Sequence, residues 1–213
     1  MTRLDFRPEN VGGRATSIAE WVCRMGQRAR KAWLDKVSKR DMILLRHCWA
    51  FWVRRDQRPP QGNWKTWLVL AGRGFGKTRM GAEWVKRQAR RAKARIALLG
   101  ATSDEVRRVM VEGESGILAN CRECDRPVWE PSLGRLRWPN GATAHVYSAA
   151  EPDSLRGPQF DAAWCDEIAK WPRGEEAWAN LEFTMRLGSK PQIMATTTPR
   201  GVPLVRRLVA AAG

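Results

Sequence analysis

The sequence predicts an α/β fold: a mainly parallel sheet with helices on both faces, preceded by an N-terminal helical segment. Three observations predict it. Apolar runs of strand length alternate with stretches of helical period. The first such run, at 65–71, passes through a glycine-rich turn directly into a helix. Ahead of it, the residues up to about 53 follow the helical period and carry an excess of basic side chains. The expected division is therefore a basic helical extension at 1–53 and one α/β domain at 54–213.

Each element has its own signal. Residues 1–17 are polar, include Gly12 and Gly13, and are expected to be mobile. From Ile18 to about Lys36, apolar residues recur at spacings of three and four (Ile18, Trp21, Val22, Met25, Ala29, Ala32, Trp33), which predicts one amphipathic helix. Ser38 followed by Asp41 caps a second helix, with Met42, Leu45, Trp49 and Trp52 as a core-facing stripe. Pro59, Pro60 and Gly62 make 54–63 a loop. A buried parallel strand at 65–71 is followed by a helix from Lys77 to about Arg91. A second strand at 95–100 leads to a helix capped by Thr102 with Glu105 three residues on. Residues 135–138 and 142–147, joined by Pro139, Asn140 and Gly141, predict a β-hairpin. Two further strands at 160–165 and 192–196 flank a helix from about Glu175 to Leu187. A last helix at 203–212 is expected to leave Leu204 and Leu208 as an exposed apolar stripe.

Composition narrows the class. The chain has 213 residues, 43% hydrophobic and 28% charged, which excludes global disorder and supports a sizeable core. Its apolar runs are a handful of residues long, whereas a membrane-spanning helix needs about 20. No apolar signal core follows the N-terminus, so export is not expected. Five scattered cysteines suit a reducing compartment. Cys121 and Cys124 form a lone CxxC, which reads as loop cysteines; a zinc site would need His145 and Cys48 or Cys165 to converge on it. The net charge of +16 divides as +8 over 1–60, +9 over 61–110 and −1 over 111–213. That asymmetry points to a polyanionic partner on one side, with solvated basic helix faces as the alternative.

Two motifs carry chemistry. Ala71-Gly72-Arg73-Gly74-Phe75-Gly76-Lys77-Thr78 fits the phosphate-loop pattern, with Ala71 at its first glycine. Glycines let the backbone curl so that successive N–H groups face an anion, and the helix N-terminus adds its dipole. Lys77 is then placed to reach the β- and γ-phosphates, and the Thr78 hydroxyl to ligate Mg2+. The second motif is the apolar run 160–165 ending in Asp166 and Glu167. At the C-terminal edge of a parallel sheet, Asp166 can hold magnesium and Glu167 can deprotonate an attacking water. Thr196, Thr197 and Thr198 end the next strand, either as plain β-branched strand residues or as hydroxyls that sense the γ-phosphate. The basic run 86–95 reads as a solvated helix end, with a direct duplex contact as the alternative.

The stretch around WKTWLVLAGRGFGKTRMGAEWV, followed in order by SLRGPQFDAAWCDEIAKW and MATTTPRG, closely resembles the ATPase domain of tailed-phage large terminase subunits. The likeness covers about residues 50–205. It implies an ASCE-type P-loop NTPase that binds ATP and Mg2+ and packages double-stranded DNA. The implied setting is a homomeric ring on a portal protein, with a small terminase subunit as partner, in the cytoplasm of a bacterial host and without a membrane. By the same resemblance Gly72 to Thr78 hold the nucleotide, Asp166 and Glu167 are the metal-binding and basic acids, and Thr196 to Thr198 are the coupling motif. Arg73 sits where many members carry an arginine inside the phosphate loop, which is placed to stabilise transition-state charge. Arg156 lies where some members have an arginine reaching a neighbouring subunit's nucleotide. Both also read as surface arginines. Gln57 matches the region that contacts adenine. The family continues into a metal-dependent nuclease domain; no later acidic cluster occurs before Gly213, so no nuclease activity is expected of this chain. The rival readings are another ASCE ATPase of helicase or recombinase type, and a DNA-binding remnant that does not hydrolyse ATP.

Overall fold

A computed structural model describes residues 17–211. The mobile segment expected at 1–17 thus lies, apart from Ser17, outside the described residues. The chain divides into two compact units, one up to Pro59 and one from Pro60 onward, and the division falls inside the loop predicted at 54–63.

The first unit is helical. The single helix expected at 18–36 is two, α1 (Ile18–Arg24) and α2 (Gln27–Leu34), because Met25 and Gly26 are both extended. Arg30 Nη1 donates to the Cys23 carbonyl at 3.1 Å across the break, so an orphaned carbonyl of α1 is satisfied by a side chain of α2. Ser38 caps α3 (Lys39–Arg46), its hydroxyl accepting the Asp41 N–H, and α4 (Trp49–Trp52) follows. Ile18, Val22, Val37, Leu45 and Phe51 form the core, with Trp33 stacked on Phe51. The expected stripe on α3 and α4 is only partly buried. Leu45 is inside, but Met42 is exposed and Trp52 half-exposed, with its indole N–H donated to the Leu45 carbonyl. Phe51 takes the core place instead.

The second unit is a seven-stranded sheet. In chain order it runs β1 (Thr66–Leu70), α5 (Lys77–Gln88), β2 (Arg95–Gly100) and α6 (Ser103–Glu105), which continues as a π-helical turn through Val111. Then come α7 (Ile117–Asn120), β3 (Val128–Glu130), β4 (Arg135–Arg137), β5 (Thr143–Ser148), β6 (Ala162–Cys165), α8 (Gly174–Thr184), β7 (Gln192–Thr197) and α9 (Pro203–Ala210). The spatial order is β1-β7-β6-β2-β5-β4-β3. The first five strands are parallel; β4 and β3 extend the predicted hairpin into an antiparallel edge.

Strand alternation decides which face each residue serves. Ala163 and Cys165 of β6 join Ala97, Leu99, Ile193 and Ala195 in a core closed by Trp178 and Leu181 of α8 and by Leu204 and Val205 of α9. Trp164 points the other way and meets Gly81 of α5. The stripe expected to be exposed on α9 is covered: Leu204 is buried and Leu208 packs on the same core. The helix lies back on the sheet, where each leucine removes apolar surface from water.

Candidate functional site

β1, β7 and β6 are adjacent and parallel, so the segments leaving their C-terminal ends meet on one edge of the sheet. From β1 comes the loop 71–76. Gly74 at φ 77° and Gly76 at φ 91° occupy the left-handed region, where any side chain is strained, and this curl turns the chain from strand into helix. Gly76 caps the twelve-residue α5 without a side-chain hydrogen bond, which leaves first-turn N–H groups directed at the loop. Gly72, Arg73 and Gly74 are exposed, Phe75 and Thr78 half-buried. The Ala71 N–H donates to the Thr197 carbonyl at 3.1 Å, which fastens the loop to the end of β7.

Lys77 opens α5 and is buried. Its ammonium donates to the carbonyls of Ala71 at 2.9 Å and Gly72 at 3.1 Å, and lies 3.4 Å from Thr198 Oγ1 and 3.5 Å from Glu167 Oε1. Phosphate-loop lysine and paired acids therefore share one site.

The two acids differ sharply. Asp166 is buried, and burial pushes its carboxyl up; the Thr196 hydroxyl, donating to Oδ1 at 2.6 Å, works against that rise, and the Glu167 charge adds to it. For Glu167, burial raises the carboxyl, but the Thr198 N–H, the Lys77 charge and the Thr198 hydroxyl together outweigh it and hold the group below its usual range. Thr198 N–H and Oγ1 reach the two carboxylate oxygens at 3.2 Å each. Glu167 itself sits at φ 46°, left-handed for a residue with a side chain, which costs about 1–3 kcal/mol and marks an imposed conformation.

The three threonines have separate partners. Thr196 serves Asp166, Thr198 serves Glu167 and Lys77, and Thr197 Oγ1 accepts the Ala169 N–H at 3.2 Å in the loop after the acids. Of the remaining sequence candidates, Arg73 is exposed in the loop, and Arg156 is exposed and paired with Asp153 at 3.1 Å. Gln57 is buried in the first unit, its Oε1 accepting the Arg54 N–H at 3.1 Å. Two tryptophans escaped the sequence reading. Trp171 Nε1 donates to the Asp166 carbonyl at 3.0 Å, and Trp164 Nε1 to Thr196 Oγ1 at 3.2 Å. Both read as apolar in sequence, and nothing in their spacing signals an indole N–H turned toward the acids.

Away from this edge, all five cysteines are free, and burial pushes the Cys121 thiol up to about 11, leaving it protonated at neutral pH. Among the described residues no three His, Cys, Asp or Glu side chains gather as a protein-only metal site. A magnesium held largely by phosphate oxygens and water needs only one or two protein ligands. Among the described residues no helix is long and apolar enough to cross a membrane.

Residues 68–212 match the family model described as terminase large subunit, T4-like-virus type, N-terminal. Among solved structures, the chain is similar to the large terminase ATPase domain of Thermus phage P74-26, at 20% identity over 78% of this chain and 71% of that one, with a TM-score of 0.56. It is also similar to the large terminase of a second, thermophilic bacteriophage, at 15% identity over 78% of this chain and TM-score 0.52. The same phage's large terminase in complex with ADP gives 13% identity over 73% and TM-score 0.51. The chain spans 39% and 38% of those two longer chains, and at such identities the likeness is one of fold. That fold, with β7 inserted between the strand leading to the phosphate loop and the strand leading to the acids, is the ASCE-type P-loop NTPase. The chain belongs to the terminase large subunits, and 68–212 is their N-terminal region.

Proposed function

We propose that this chain is the ATP-hydrolysing motor part of a phage, prophage or gene-transfer-agent large terminase, driving double-stranded DNA into a capsid. One observation carries the reading: the buried ammonium of Lys77 and the carboxylate of Glu167 approach to 3.5 Å, at the meeting point of three strand ends. A cation for the phosphates and a base for water are thereby in one place.

The loop N–H groups and Lys77 bind the triphosphate. Magnesium, when bound, offsets phosphate charge, and Thr78 and Asp166 are the residues to hold it. Asp166 fits that role because it is a hard oxygen donor fixed through Thr196. Glu167, kept ionised by Thr198 and Lys77, accepts a proton from water as that water's oxygen bonds to the γ-phosphorus. The bond to the β-phosphate oxygen breaks, and ADP and phosphate leave. The Thr198 hydroxyl, between Lys77 and Glu167, is positioned to register the presence of the γ-phosphate.

Arg73 is proposed as the arginine that stabilises the transferring phosphoryl group in cis, Arg156 as its counterpart toward a neighbouring subunit, and Gln57 as an adenine contact. The partners in this reading are duplex DNA, the portal protein, the small terminase subunit and further copies of the chain in a ring. The setting is the cytoplasm of the bacterial host, and the chemistry is ATP hydrolysis.

The test uses the chain assembled with portal and duplex DNA. Glu167→Gln should retain ATP binding and lose hydrolysis by about 10²–10⁴-fold, the contribution of a general base. Lys77→Ala should weaken nucleotide binding itself in an equilibrium titration. Turnover retained in the Glu167 variant would reject that residue as the base, and unchanged affinity in the Lys77 variant would reject the phosphate-loop assignment.

A further inference from the structure

We infer that Trp164 is a positioning residue for Asp166, acting through the hydroxyl of Thr196. The inference rests on the nucleotide-site reading above and extends it to a residue to which that reading gives no role.

A threonine hydroxyl has a single proton and rotates freely unless its surroundings fix it. Here Trp164 Nε1, a group that can only donate, reaches Thr196 Oγ1 at 3.2 Å. The oxygen is thus engaged as an acceptor, and its own proton must go elsewhere. Two acceptors are near: Asp166 Oδ1 at 2.6 Å and the Cys165 carbonyl at 3.2 Å. The shorter contact is to the carboxylate, where the hydrogen bond is charge-assisted. Trp164 and Thr196 are both fully buried and Asp166 nearly so, so no bulk water competes along the chain of donors.

The ring cannot move independently. A Cβ on Gly81 would overlap Trp164 Cε2 and Cζ2 and fall 2.5 Å from Nε1, so α5 lies directly against the indole. That helix also carries Lys77 and Thr78, so the side of the pocket holding the phosphates sets the tryptophan, and the tryptophan sets the acid. The Asp166 main chain is pinned separately by Trp171 Nε1 on its carbonyl at 3.0 Å. Trp164 governs the side chain, Trp171 the backbone.

Phenylalanine at 164 keeps a ring on Gly81 but releases the Thr196 hydroxyl to turn toward the Cys165 carbonyl. The carboxylate then loses its fixed orientation toward magnesium, while Lys77 and the loop amides are untouched. The experiment measures binding of a non-hydrolysable ATP analogue to the full chain with and without Mg2+. The readout is the ratio of the two affinities. Trp164→Phe should shrink that ratio about tenfold, as loss of a partner that orients a metal ligand does, with the Mg2+-free affinity unchanged. Thr196→Val should shrink it at least as much, and Thr196→Ser, which keeps the hydroxyl, should restore it. A native ratio in Trp164→Phe would overturn the inference, whatever Thr196→Val does. Should Trp164→Phe not fold, Trp164→Tyr, which keeps an aromatic ring but lacks the indole N–H, takes its place with the same expected loss, and equal ratios for the valine and serine variants would also overturn the inference. If the native chain itself binds the analogue equally well with and without Mg2+, the site reading falls and takes this inference with it.

Discussion

Adjacent carboxylates in the site live in opposite environments. Asp166 is buried against β7 and pushed up, whereas Glu167 is held down by the Thr198 donors and Lys77 against its own burial. An acid whose folded value lies above its unfolded one, about 3.9 for Asp, binds its proton more tightly when folded. Its contribution to stability therefore falls as pH rises through that window, and ionised Asp166 costs the nucleotide-free protein stability at neutral pH. Asp166→Asn should accordingly raise the melting temperature at pH 7. The gap should narrow as pH falls through the raised range of the folded carboxyl, where native Asp166 takes up its proton. Thermal melts at pH 7 and at lower pH check this; a native protein more stable than the variant at pH 7 would contradict it. The same substitution should weaken magnesium-dependent nucleotide binding, the usual exchange of stability for function.

At the scale of elements, the contact between α5 and β6 sets the site. Gly81 is the point of closest approach, and the magnitudes decide what a methyl group there would do. Replacing a helical glycine by alanine gains up to about 1 kcal/mol in propensity. A Cβ overlapping the Trp164 ring instead forces the helix or the indole to shift, an overpacking cost of about 1–3 kcal/mol or more. Gly81→Ala should therefore be destabilising on balance and should disturb Asp166 through the tryptophan. Gly72→Ala is the control. No atom lies within 4 Å of its added methyl, so its stability should stay within about 0.5 kcal/mol of native. Chemical denaturation of both variants distinguishes a steric requirement at 81 from a general dislike of side chains near the loop.

For the molecule as a whole, parallel topology separates two chemistries. The loop, the acids and the threonines lie at the C-terminal ends of the strands. Helix α5 runs back antiparallel to β1, so its C-terminus and the start of β2 lie at the opposite edge, with Arg87, Arg90, Arg91, Lys93 and Arg95 exposed there. Lys86 is withdrawn from this group, paired with Glu83 at 2.9 Å. If the basic edge meets duplex DNA, each neutralised phosphate contributes about 0.9 to the salt slope of binding. The triple variant R87A/R90A/R91A should then bind a short duplex more weakly, with a slope reduced by about 3, while its nucleotide affinity stays native. A native slope would return these arginines to the role of a solvated helix end.

Local signals determined much of this protein. Glycines ahead of Lys77, apolar runs ending in Asp166-Glu167 and Thr196 to Thr198, and the Ser38 and Thr102 caps are all contiguous in the chain, so backbone geometry and helix polarity make them legible. The order of strands, the burial of Leu204 and the packing of Leu208 depend instead on what lies against each segment. Only the tertiary structure could reveal the service Trp164 and Trp171 give Asp166, or the need for Gly81. A sequence shows that a residue is apolar and falls on a strand; the direction of its one polar hydrogen is fixed by neighbours distant along the chain, here Thr196 and Gly81.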